Sequence, residues 1–368
     1  MSTLSTFTFK TILEYIWIGG KGEIRSKTRV IHKFIDFDIN YIPEWNYDGS
    51  STWQADSDND TEIILKPCFM CKDVIRKIDE ASCYLVLCDT YYSNGKPTKT
   101  NHRYLANKIF ENGKEYEPWF GLEQEYFMEF ENDKITTKYD NDNNDNDNDN
   151  GFHYCGQSKN YLERKIAEEH MILCIETGIQ ISGINSEVSN YQWEFQVGPC
   201  EGISAGDHLI ISRYLLERVS EKYNVKINYH PKPFRHINGS GCHINFSTKL
   251  TRTSNMERGL KEIYNYINCL SNFHAELIKV YGDYNDLRLT GIHETSSYKN
   301  FSWGVGTRNT SIRIPNQTIA DKCGYFEDRR PASNIDPYLA TSKLFNICYE
   351  KSEKNNNNYI DGMSIILA

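Results

Sequence analysis

The chain has 368 residues, a formal net charge of −9 and a hydrophobic content of 39%, which together predict a folded protein with room for two domains. An acidic balance of this size argues against a nucleic-acid partner, because nucleic-acid binders normally present a basic surface to phosphates. The longest apolar run, Tyr84 to Cys88, is far too short to cross a membrane. The N-terminal residues lack a basic segment followed by a long apolar one, so we expect a cytoplasmic protein without a secretory signal.

The eleven cysteines are an odd number, which predicts reduced thiols within the cores rather than a disulfide framework. The spacing of Cys68, Cys71, Cys83 and Cys88 loosely imitates a structural zinc site. However, Cys88 ends an apolar segment that is typical of a buried strand, and this favours a core position for it.

Short strand-like segments fill the first quarter of the chain: Ile12–Ile18, Arg29–His32, Glu62–Leu65 and Cys83–Leu87. Gly19-Gly20 and Asn94-Gly95 supply turns beside them. These signals predict a small sheet domain over residues 10–95. The composition then becomes linker-like, and a second domain is expected over residues 100–368.

Helices and strands mix in the second domain, which predicts an α+β fold with a mainly antiparallel sheet. Helices are expected from Asn101 to about Phe110, from Tyr161 to Thr177, from Asp207 to about Tyr223 and from Met256 to Val280. Residues 140–150 contain only Asn and Asp. Such a tract cannot bury apolar surface, so a mobile low-complexity loop is predicted there.

Six potential metal ligands lie on short strand-like segments: Glu123, Glu125, Glu187, Glu194, His243 and Glu327. Since successive strand residues point to opposite faces, Glu123 and Glu125 share one face of their segment. The same parity groups His243 with Asn245 and Ser247, and it groups Tyr325 with Glu327 and Arg329.

Carboxylates that converge in this way need a counter-charge. Two like charges about 4 Å apart repel by roughly 4 kcal/mol at an effective dielectric near 20. Five carboxylates and one imidazole are ligands suited to Mg²⁺ or Mn²⁺. The alternative is that each strand is amphipathic and its acids face water. A single strand with polar residues on one face and apolar residues on the other would favour exposure of its acids to water. Five such segments favour one polar cavity that the ligands share.

Seven segments of the chain also match known motifs: Trp45–Thr52, Pro118–Tyr126, Gln192–Pro199, Asn238–His243, Arg288–Glu294, Ser311–Pro315 and Tyr325–Pro331. In this order they resemble the eukaryotic-type (class II) glutamine synthetases, from about residue 12 to about residue 350. The resemblance implies a small N-terminal β-grasp domain, followed by a catalytic domain of curved antiparallel sheet with flanking helices. It also implies a homo-oligomer, usually two stacked pentameric rings, with active sites between subunits.

The reaction implied by the resemblance is ATP-dependent ligation of ammonia to L-glutamate through a γ-glutamyl phosphate. The cofactors would be Mg²⁺ or Mn²⁺, two or more per site. The chain has no P-loop motif, so metals and arginines would have to hold the ATP phosphates. One metal would be held by Glu125, Glu187 and Glu194 near the substrates, and a second by Glu123, His243 and Glu327 near the phosphates.

The resemblance assigns catalytic roles to Asp48, Glu294 and Arg308. Asp48 would take a proton from ammonium in a neighbouring subunit's site, although composition alone makes it a turn residue. Glu294 would lie on a flap that shields the acyl phosphate from water. Tyr154 would help Glu187 bind ammonium.

Substrate and nucleotide contacts are implied for a further set of residues. Glutamate would be bound by Asn238, Gly239, Arg288, Arg308, Arg329 and Tyr154. ATP would be bound by Glu123, Glu194, Pro199, Asn245, Ser247, Arg308, Arg313 and Tyr325. A guanidinium fork suits carboxylates and phosphates, but any single arginine can also form a surface ion pair. That alternative is favoured more for Arg330 than for Arg329.

Two other functions remain open from the sequence. A ligase on the same scaffold could join glutamate to an organic amine, which would need a larger cavity and no ammonium site. A structural homologue could have kept the fold and lost activity, but it would be expected to lose ligands or arginines. Asp48, Glu187 and Glu294 are all present, and they favour ammonia as the substrate.

Overall fold

Two β-sheets, one of five strands and one of eight, form the framework of the protein. They are seen in a computed structural model that describes residues 9–56, 60–130, 153–157, 161–253 and 258–359, with side chains described to residue 349. The predicted loop at residues 140–150 lies outside the described residues.

The five-stranded sheet is the predicted β-grasp, and its strands are longer than the sequence signals indicated. They are β1 (Lys10–Ile18), β2 (Ile24–Ile31), β3 (Trp45–Asp48), β4 (Glu62–Lys72) and β5 (Ala81–Tyr92). Their order is β2-β1-β5-β4-β3, with β1 parallel to β5 and the other neighbours antiparallel. Alternation along β1 sends Tyr15 into a core confined to this sheet and Ile16 into the main core of the protein.

The eight-stranded sheet is mainly antiparallel, as predicted. Its strands are β6 (Trp119–Phe130), β7 (Ile181–Ser186), β8 (Gln192–Glu201), β9 (Val225–Asn228), β10 (Cys242–Ser247), β11 (Trp303–Val305), β12 (Ile312–Ile314) and β13 (Phe326–Asp328). The order is β11-β12-β13-β10-β6-β8-β7, and β9 pairs with β6. Only β11 and β12 pair in parallel among the described strands of this sheet.

Helices flank the larger sheet. They are α1 (His102–Asn112), α2 (Tyr161–Thr177), α3 (Ser204–Glu221), α4 (Arg258–Asn272), α5 (His274–Ile278), α6 (Asn285–Arg288), α7 (Asn316–Asp321) and α8 (Pro337–Tyr359). The Asn101 side chain accepts a hydrogen bond from the Tyr104 backbone N–H and caps α1, as predicted. None of the helices in the described residues is both long enough and apolar enough to span a membrane.

One helix prediction was wrong. A single helix was expected from Met256 to Val280, but α4 ends at Asn272 and α5 begins at His274. The backbone leaves the helical region at Phe273, with φ −111° and ψ 19°, and this aromatic side chain packs against the main core. Residues 254–257 lie outside the described part of the chain.

All eleven cysteines are free thiols, and eight of them are buried. Cys71 belongs to the main core, whereas Cys88 belongs to the separate core of the five-stranded sheet. Cys71 and Cys88 therefore lie in two different apolar environments, and Cys88 takes the predicted core position.

A buried ion-pair network joins the five-stranded sheet to helices that flank the larger sheet. The Arg103 guanidinium on α1 donates to both carboxylate oxygens of Asp207 on α3, at 2.7 and 2.8 Å, and contacts Asp89 on β5 at 3.4 Å. The Tyr338 hydroxyl on α8 donates to the same Asp207 carboxylate at 2.7 Å. The Arg103 guanidinium therefore balances the charge of two carboxylates, and α8 joins the same network through the neutral Tyr338 hydroxyl.

We predict that Arg103→Ala lowers the free energy of unfolding by about 3–5 kcal/mol, because removing one partner leaves buried charge uncompensated. Urea denaturation followed by circular dichroism measures this change. Lys99→Ala, which removes an exposed ion pair with Asp56, serves as the control and should leave the midpoint nearly unchanged. Equal midpoints for the two variants would contradict the role assigned to Arg103.

Candidate active site

The register of the larger sheet brings the predicted ligands together. Glu125 on β6 lies opposite Glu194 on β8, and Glu123 on β6 lies opposite His243 on β10. On the next strand, Glu327 of β13 lies opposite Asn245 of β10. The predicted alternation is confirmed, since residues next to these positions, such as Leu122 and Ile244, are fully buried in the main core.

Glu125, Glu187 and Glu194 form a group that we call the carboxylate cluster. One carboxylate oxygen from each lies within 4.8 Å of the others. Glu187 comes one residue after β7 ends at Ser186, so the predicted strand from Asn185 to Val188 ends earlier than expected. Its backbone N–H donates to the Gln192 carbonyl at 2.8 Å, which closes the connection between β7 and β8.

The hydrogen-bond donors around the carboxylate cluster are neutral. Glu125 Oε2 accepts from the Gly241 backbone N–H at 2.6 Å. The side-chain amide of Gln196 donates to Glu194 Oε1 at 2.5 Å, and that of Asn185 donates to Glu187 Oε1 at 3.1 Å. These bonds orient the carboxylates without neutralising their charge.

Burial and mutual repulsion therefore dominate the electrostatics of this cluster. Burial raises the pKa of Glu125, and the nearby Glu187 carboxylate raises it further. The pKa of Glu194 is raised well above its ordinary value, first by burial and then by Glu123 and Glu125. Negative charge is unfavourable here unless a cation or protons balance it.

Glu123, His243 and Glu327 form a second group, which we call the histidine cluster, again with ligand atoms within 4.8 Å of one another. His243 Nδ1 lies 3.3 Å from Glu123 Oε2 and 3.5 Å from Glu327 Oε1. On the other side of the ring, Arg288 Nη2 lies 2.9 Å from His243 Nε2. Because the guanidinium can only donate, Nε2 accepts and Nδ1 is the nitrogen that faces the carboxylates.

Gly241 allows this close approach of Arg288 and His243. A Cβ atom at position 241 would lie 2.4 Å from Arg288 Nη2 and 2.7 Å from His243 Nε2. Burial lowers the pKa of His243 well below its usual value, and the positive charge of Arg329 lowers it further. The imidazole is therefore neutral at physiological pH, with its one hydrogen on Nδ1 toward the carboxylates, and this hydrogen would have to leave Nδ1 for a cation to bind there.

Both clusters fit a hard divalent cation. Carboxylate oxygens with at most one imidazole nitrogen are the donors that Mg²⁺ and Mn²⁺ accept. Within the described residues, these are the two groups of at least three His, Cys, Asp or Glu side chains that converge closely enough to hold an ion. The Coulomb coupling of Glu194 to Glu123 shows that the two clusters are neighbours.

Arginines surround the histidine cluster. Arg329 Nη1 donates to Glu327 Oε1 at 2.6 Å, and Arg313 contacts the other Glu327 oxygen. Arg288 is 4% exposed, and burial lowers its pKa to about 10. The surface ion pair favoured for Arg330 is wrong: Arg330 is fully buried and binds Asp328 at 2.6 Å, because its side chain points to the core side of β13.

Glu294, Arg308 and Tyr154 meet at the exposed edge of the site. Arg308 Nη1 donates to Glu294 Oε2 at 3.3 Å, and Tyr154 lies close enough to interact with the same guanidinium. His293 and Glu294 both have positive φ angles, 53° and 60°, which are uncommon for residues with side chains.

Asn238 and Gly239 lie beside the carboxylate cluster. Asn238 is half-buried, and the Gly239 carbonyl accepts a hydrogen bond from Gln192 Nε2 at 3.0 Å. The same amide lies 3.4 Å from Glu125 Oε2. Gln192 therefore connects the predicted substrate-binding segment directly to the cluster.

A cavity of about 440 Å³ opens next to Glu123. Of the residues predicted to bind ATP, Glu123, Pro199, Asn245, Ser247 and Tyr325 line it. Glu194, Arg308 and Arg313 are not among its lining residues, although Arg313 reaches Glu327.

Sequence reasoning missed several residues of this cavity, among them Trp119 and Arg252. The Arg252 guanidinium stacks 3.8 Å from the ring centre of Trp119 and donates to Ser247 Oγ at 3.0 Å. Trp119 has the same strand parity as Glu123, so alternation along β6 could have identified it. Arg252 follows β10 in a turn, and no periodic signal marks it.

Asp48 lies at the end of β3, on the five-stranded sheet. It is exposed, and its carboxylate accepts hydrogen bonds from the Ser50 and Ser51 hydroxyls of its own turn at 2.7–2.8 Å. These bonds hold the pKa of Asp48 well below its usual value. Within one chain, the hydrogen bonds of Asp48 are local rather than with either cluster.

Comparison with known proteins identifies the family. The family described as "Glutamine synthetase, catalytic domain" matches residues 99–349. The chain belongs to the glutamine synthetase family. A putative glutamine synthetase of Acanthamoeba polyphaga mimivirus is 49% identical over 338 residues, covering 90% of this chain and 92% of that protein.

Cellular relatives of the family are equally similar in sequence. The glutamine synthetases of Agaricus bisporus and Saccharomyces cerevisiae are both 48% identical, over 331 and 334 residues. They cover 89% and 90% of this chain, and the matches span 90% and 87% of the relatives. The fold is similar to a Plasmodium falciparum glutamine synthetase structure, with a TM-score of 0.73, 16% identity and coverage of 96% of this chain and 74% of that one.

We predict that adding Mn²⁺ to the metal-free protein releases protons at neutral pH. The pKa of Glu125 is raised to about 8 and that of Glu194 is raised well above its ordinary value, so the cluster retains protons that a cation must displace. Proton release in weakly buffered solution measures the effect. Glu194→Gln should reduce it, while the control Glu168→Gln, on an exposed face of α2, should not.

The same groups make the metal-free protein less stable as pH rises. Above the ordinary carboxyl pKa of 4.5, the unfolded chain has lost these protons while the folded cluster still holds them, so the free energy of unfolding falls with increasing pH. Mn²⁺ should remove this dependence. A metal-independent slope, or no proton release, would contradict the electrostatics described for the cluster.

Proposed function

We propose that this protein is a glutamate–ammonia ligase that joins ammonia to L-glutamate, using ATP and forming L-glutamine, ADP and phosphate. The observation that carries the proposal is the adjacency of two ligand clusters on paired strands β6, β8 and β10. A cavity of nucleotide size adjoins one cluster, and family membership supports the choice of substrates.

Glu125, Glu187 and Glu194 would hold one divalent cation, Mg²⁺ or Mn²⁺, and the histidine cluster would hold a second. Bound cations neutralise charge on the oxygens of a transferring phosphoryl group. The histidine cluster adjoins the cavity through Glu123, which supports its assignment to the phosphate side.

The chain's own residues would bind and orient the reactants. Arg288, Arg329, Asn238 and Gly239 would bind glutamate, while Arg308 and Arg313 would face the phosphates. ATP would occupy the cavity beside Asn245 and Tyr325. An in-line attack of the substrate γ-carboxylate on the γ-phosphorus would give ADP and a γ-glutamyl phosphate.

Ammonium would be bound by Glu187, Tyr154 and Asp48 of a neighbouring subunit. The hydroxyls of Ser50 and Ser51 keep Asp48 ionised, so it can attract the cation. The same hydrogen bonds weaken Asp48 as a base, so they would have to be released when it accepts the ammonium proton. Glu294 would cover the acyl phosphate and exclude water, because hydrolysis would consume ATP without forming product.

The location of Asp48 supports an assembly with shared sites. Asp48 belongs to the five-stranded sheet of the proposed N-terminal domain, residues 10–95, and all six ligands belong to the proposed catalytic domain, residues 100–368. We propose stacked pentameric rings in which one subunit's Asp48 completes the next subunit's site. The cytoplasmic location stays a prediction from the sequence.

The decisive experiment measures phosphate released from ATP with Mg²⁺ and L-glutamate, with and without ammonium, and detects glutamine in parallel. We expect ammonium-dependent phosphate matched by glutamine. Turnover only with an organic amine would establish the rival ligase instead. No turnover in a folded, assembled protein would favour the structural homologue.

In the same assay, Glu327→Ala should abolish phosphate release while leaving the oligomer assembled. Its carboxylate contacts His243, Arg313 and Arg329 at the centre of the histidine cluster. Size-exclusion chromatography checks assembly, and Glu327→Gln, which preserves the side-chain volume, tests the charge alone. Loss of assembly in both variants would make Glu327 a structural residue.

Asp48→Ala should impair use of ammonium more than it impairs phosphorylation of glutamate. A group that accepts a proton in the transition state typically contributes about 10²–10⁴-fold to rate, so glutamine formation should fall by roughly 100-fold or more. Ammonium-independent phosphate release should fall much less. Asp56→Ala, an exposed carboxylate in the same region, is the control. Equal loss of both activities would remove the role assigned to Asp48.

A further inference from the structure

A buried histidine–glutamate pair lies behind the carboxylate cluster and takes no part in the chemistry proposed above. His153 Nε2 lies 3.1 Å from Glu163 Oε2, and the two side chains are only 4% and 8% exposed. Trp193 Nε1 donates to the same Glu163 oxygen at 2.9 Å. Burying a carboxylate costs free energy unless it is hydrogen-bonded. The residues that donate to Glu163 therefore indicate which parts of the chain it positions.

The opposite side of the His153 ring reaches the backbone of a predicted metal ligand. His153 Nδ1 lies 2.5 Å from the carbonyl oxygen of Glu187. Two more bonds join the same segments: Ser186 Oγ donates to the His153 carbonyl at 2.8 Å, and the Cys155 N–H donates to the Ser186 carbonyl at 3.1 Å. The connection after β7 is therefore tied to residues 153–155.

The partners of the His153 imidazole determine which of its ring nitrogens carry hydrogen. Its two partners are a backbone carbonyl and a carboxylate that already accepts from Trp193, and both are acceptors. Both ring nitrogens therefore donate, one to Glu187 O and one to Glu163 Oε2. The ring spans the distance between helix α2, which carries Glu163, and the turn that carries Glu187.

Glu187 needs such support more than the other members of its cluster. Glu125 and Glu194 are on paired central strands, whereas Glu187 lies past the end of β7. Repulsion from the other carboxylates favours movement of this turn away from the cluster. Trp193, the second donor to Glu163, is the residue before Glu194. The Glu163 carboxylate is therefore linked through His153 to the backbone of Glu187 and through Trp193 to the residue beside Glu194.

We propose that His153 and Glu163 are positioning residues that hold the backbone at Glu187, so that its carboxylate stays within reach of Glu125 and Glu194. This inference rests on the proposed metal-binding role of the carboxylate cluster. Partners that orient a metal ligand typically change metal affinity by about 10–100-fold when they are removed. The pair also holds His153, the residue before Tyr154, in place. It therefore helps to position Tyr154 at the exposed edge of the site, where ammonium would enter.

The test is a Mn²⁺ titration of the full-length assembled protein without substrates, with free Mn²⁺ measured by electron paramagnetic resonance. Glu187→Gln identifies the binding class that belongs to the carboxylate cluster. His153→Phe retains a ring of similar size and removes both hydrogen bonds. We expect it to raise the Kd of the Glu187-dependent class by about 10–100-fold and to leave the other class unchanged.

Conservative variants separate positioning from general stability. His153→Gln retains one donor and should recover part of the affinity, and Glu163→Gln retains an acceptor and should have a smaller effect than His153→Phe. Glu168→Gln, an exposed residue of the same helix, should bind Mn²⁺ as the unaltered protein does. If His153→Phe does not fold, the Kd values of the two Mn²⁺ classes are compared in His153→Gln and Glu163→Gln instead.

Two results would overturn the inference. One is an unchanged Kd of the Glu187-dependent class in the His153 and Glu163 variants. The other is equal weakening of both classes together with a lowered Tm, which would indicate a general structural role. Failure of the unaltered protein to bind Mn²⁺ would instead contradict the proposed function, so the two failures are distinguishable.

Discussion

The convergence of buried carboxylates on neighbouring antiparallel strands is the constraint on which the rest of the site depends. Strand register sets Glu125 directly opposite Glu194, and apolar residues between the ligands anchor the strands in the core. The sheet cannot relieve the repulsion by slipping one position, because that would move every core residue to the polar face. Packing energy of the core therefore holds like charges together, and a cation becomes the favourable way to balance them.

The two clusters differ in what surrounds them, and this difference divides the proposed chemistry. Amide N–H groups donate to the carboxylate cluster, and burial raises the pKa of each of its carboxyl groups, so this cluster is stabilised by cations, which would be a metal together with ammonium. Arg288, Arg313 and Arg329 surround the histidine cluster, whose two carboxylates they more than balance. That side suits an ion accompanied by anionic phosphate groups. If the proposed chemistry is right, the two neighbouring clusters on one sheet would attract reactants of opposite charge to adjacent positions.

Much of the site could be predicted because strand alternation is a local rule. The parity of Glu123 and Glu125, and that of His243 and Asn245, follows from the sequence alone, and the resemblance supplied the division of the six ligands into two sets. Features that depend on tertiary packing could not be predicted from strand alternation. The break at Phe273 and the stacking of Arg252 on Trp119 have no periodic signal. The burial of Arg330 did have one, since alternation places Arg330 on the same face as the buried Phe326 and Asp328. Residues 140–150 remain a prediction from composition.

Glu187 shows why the least regular ligand has the most elaborate support. A ligand within a strand is fixed by the ladder on both sides, whereas one beyond a strand end has only the hydrogen bonds of its turn. Here those bonds come from Gln192, from Val188 and, through its carbonyl, from His153. The ligand nearest the proposed ammonium site is thus the one whose position the surrounding side chains control.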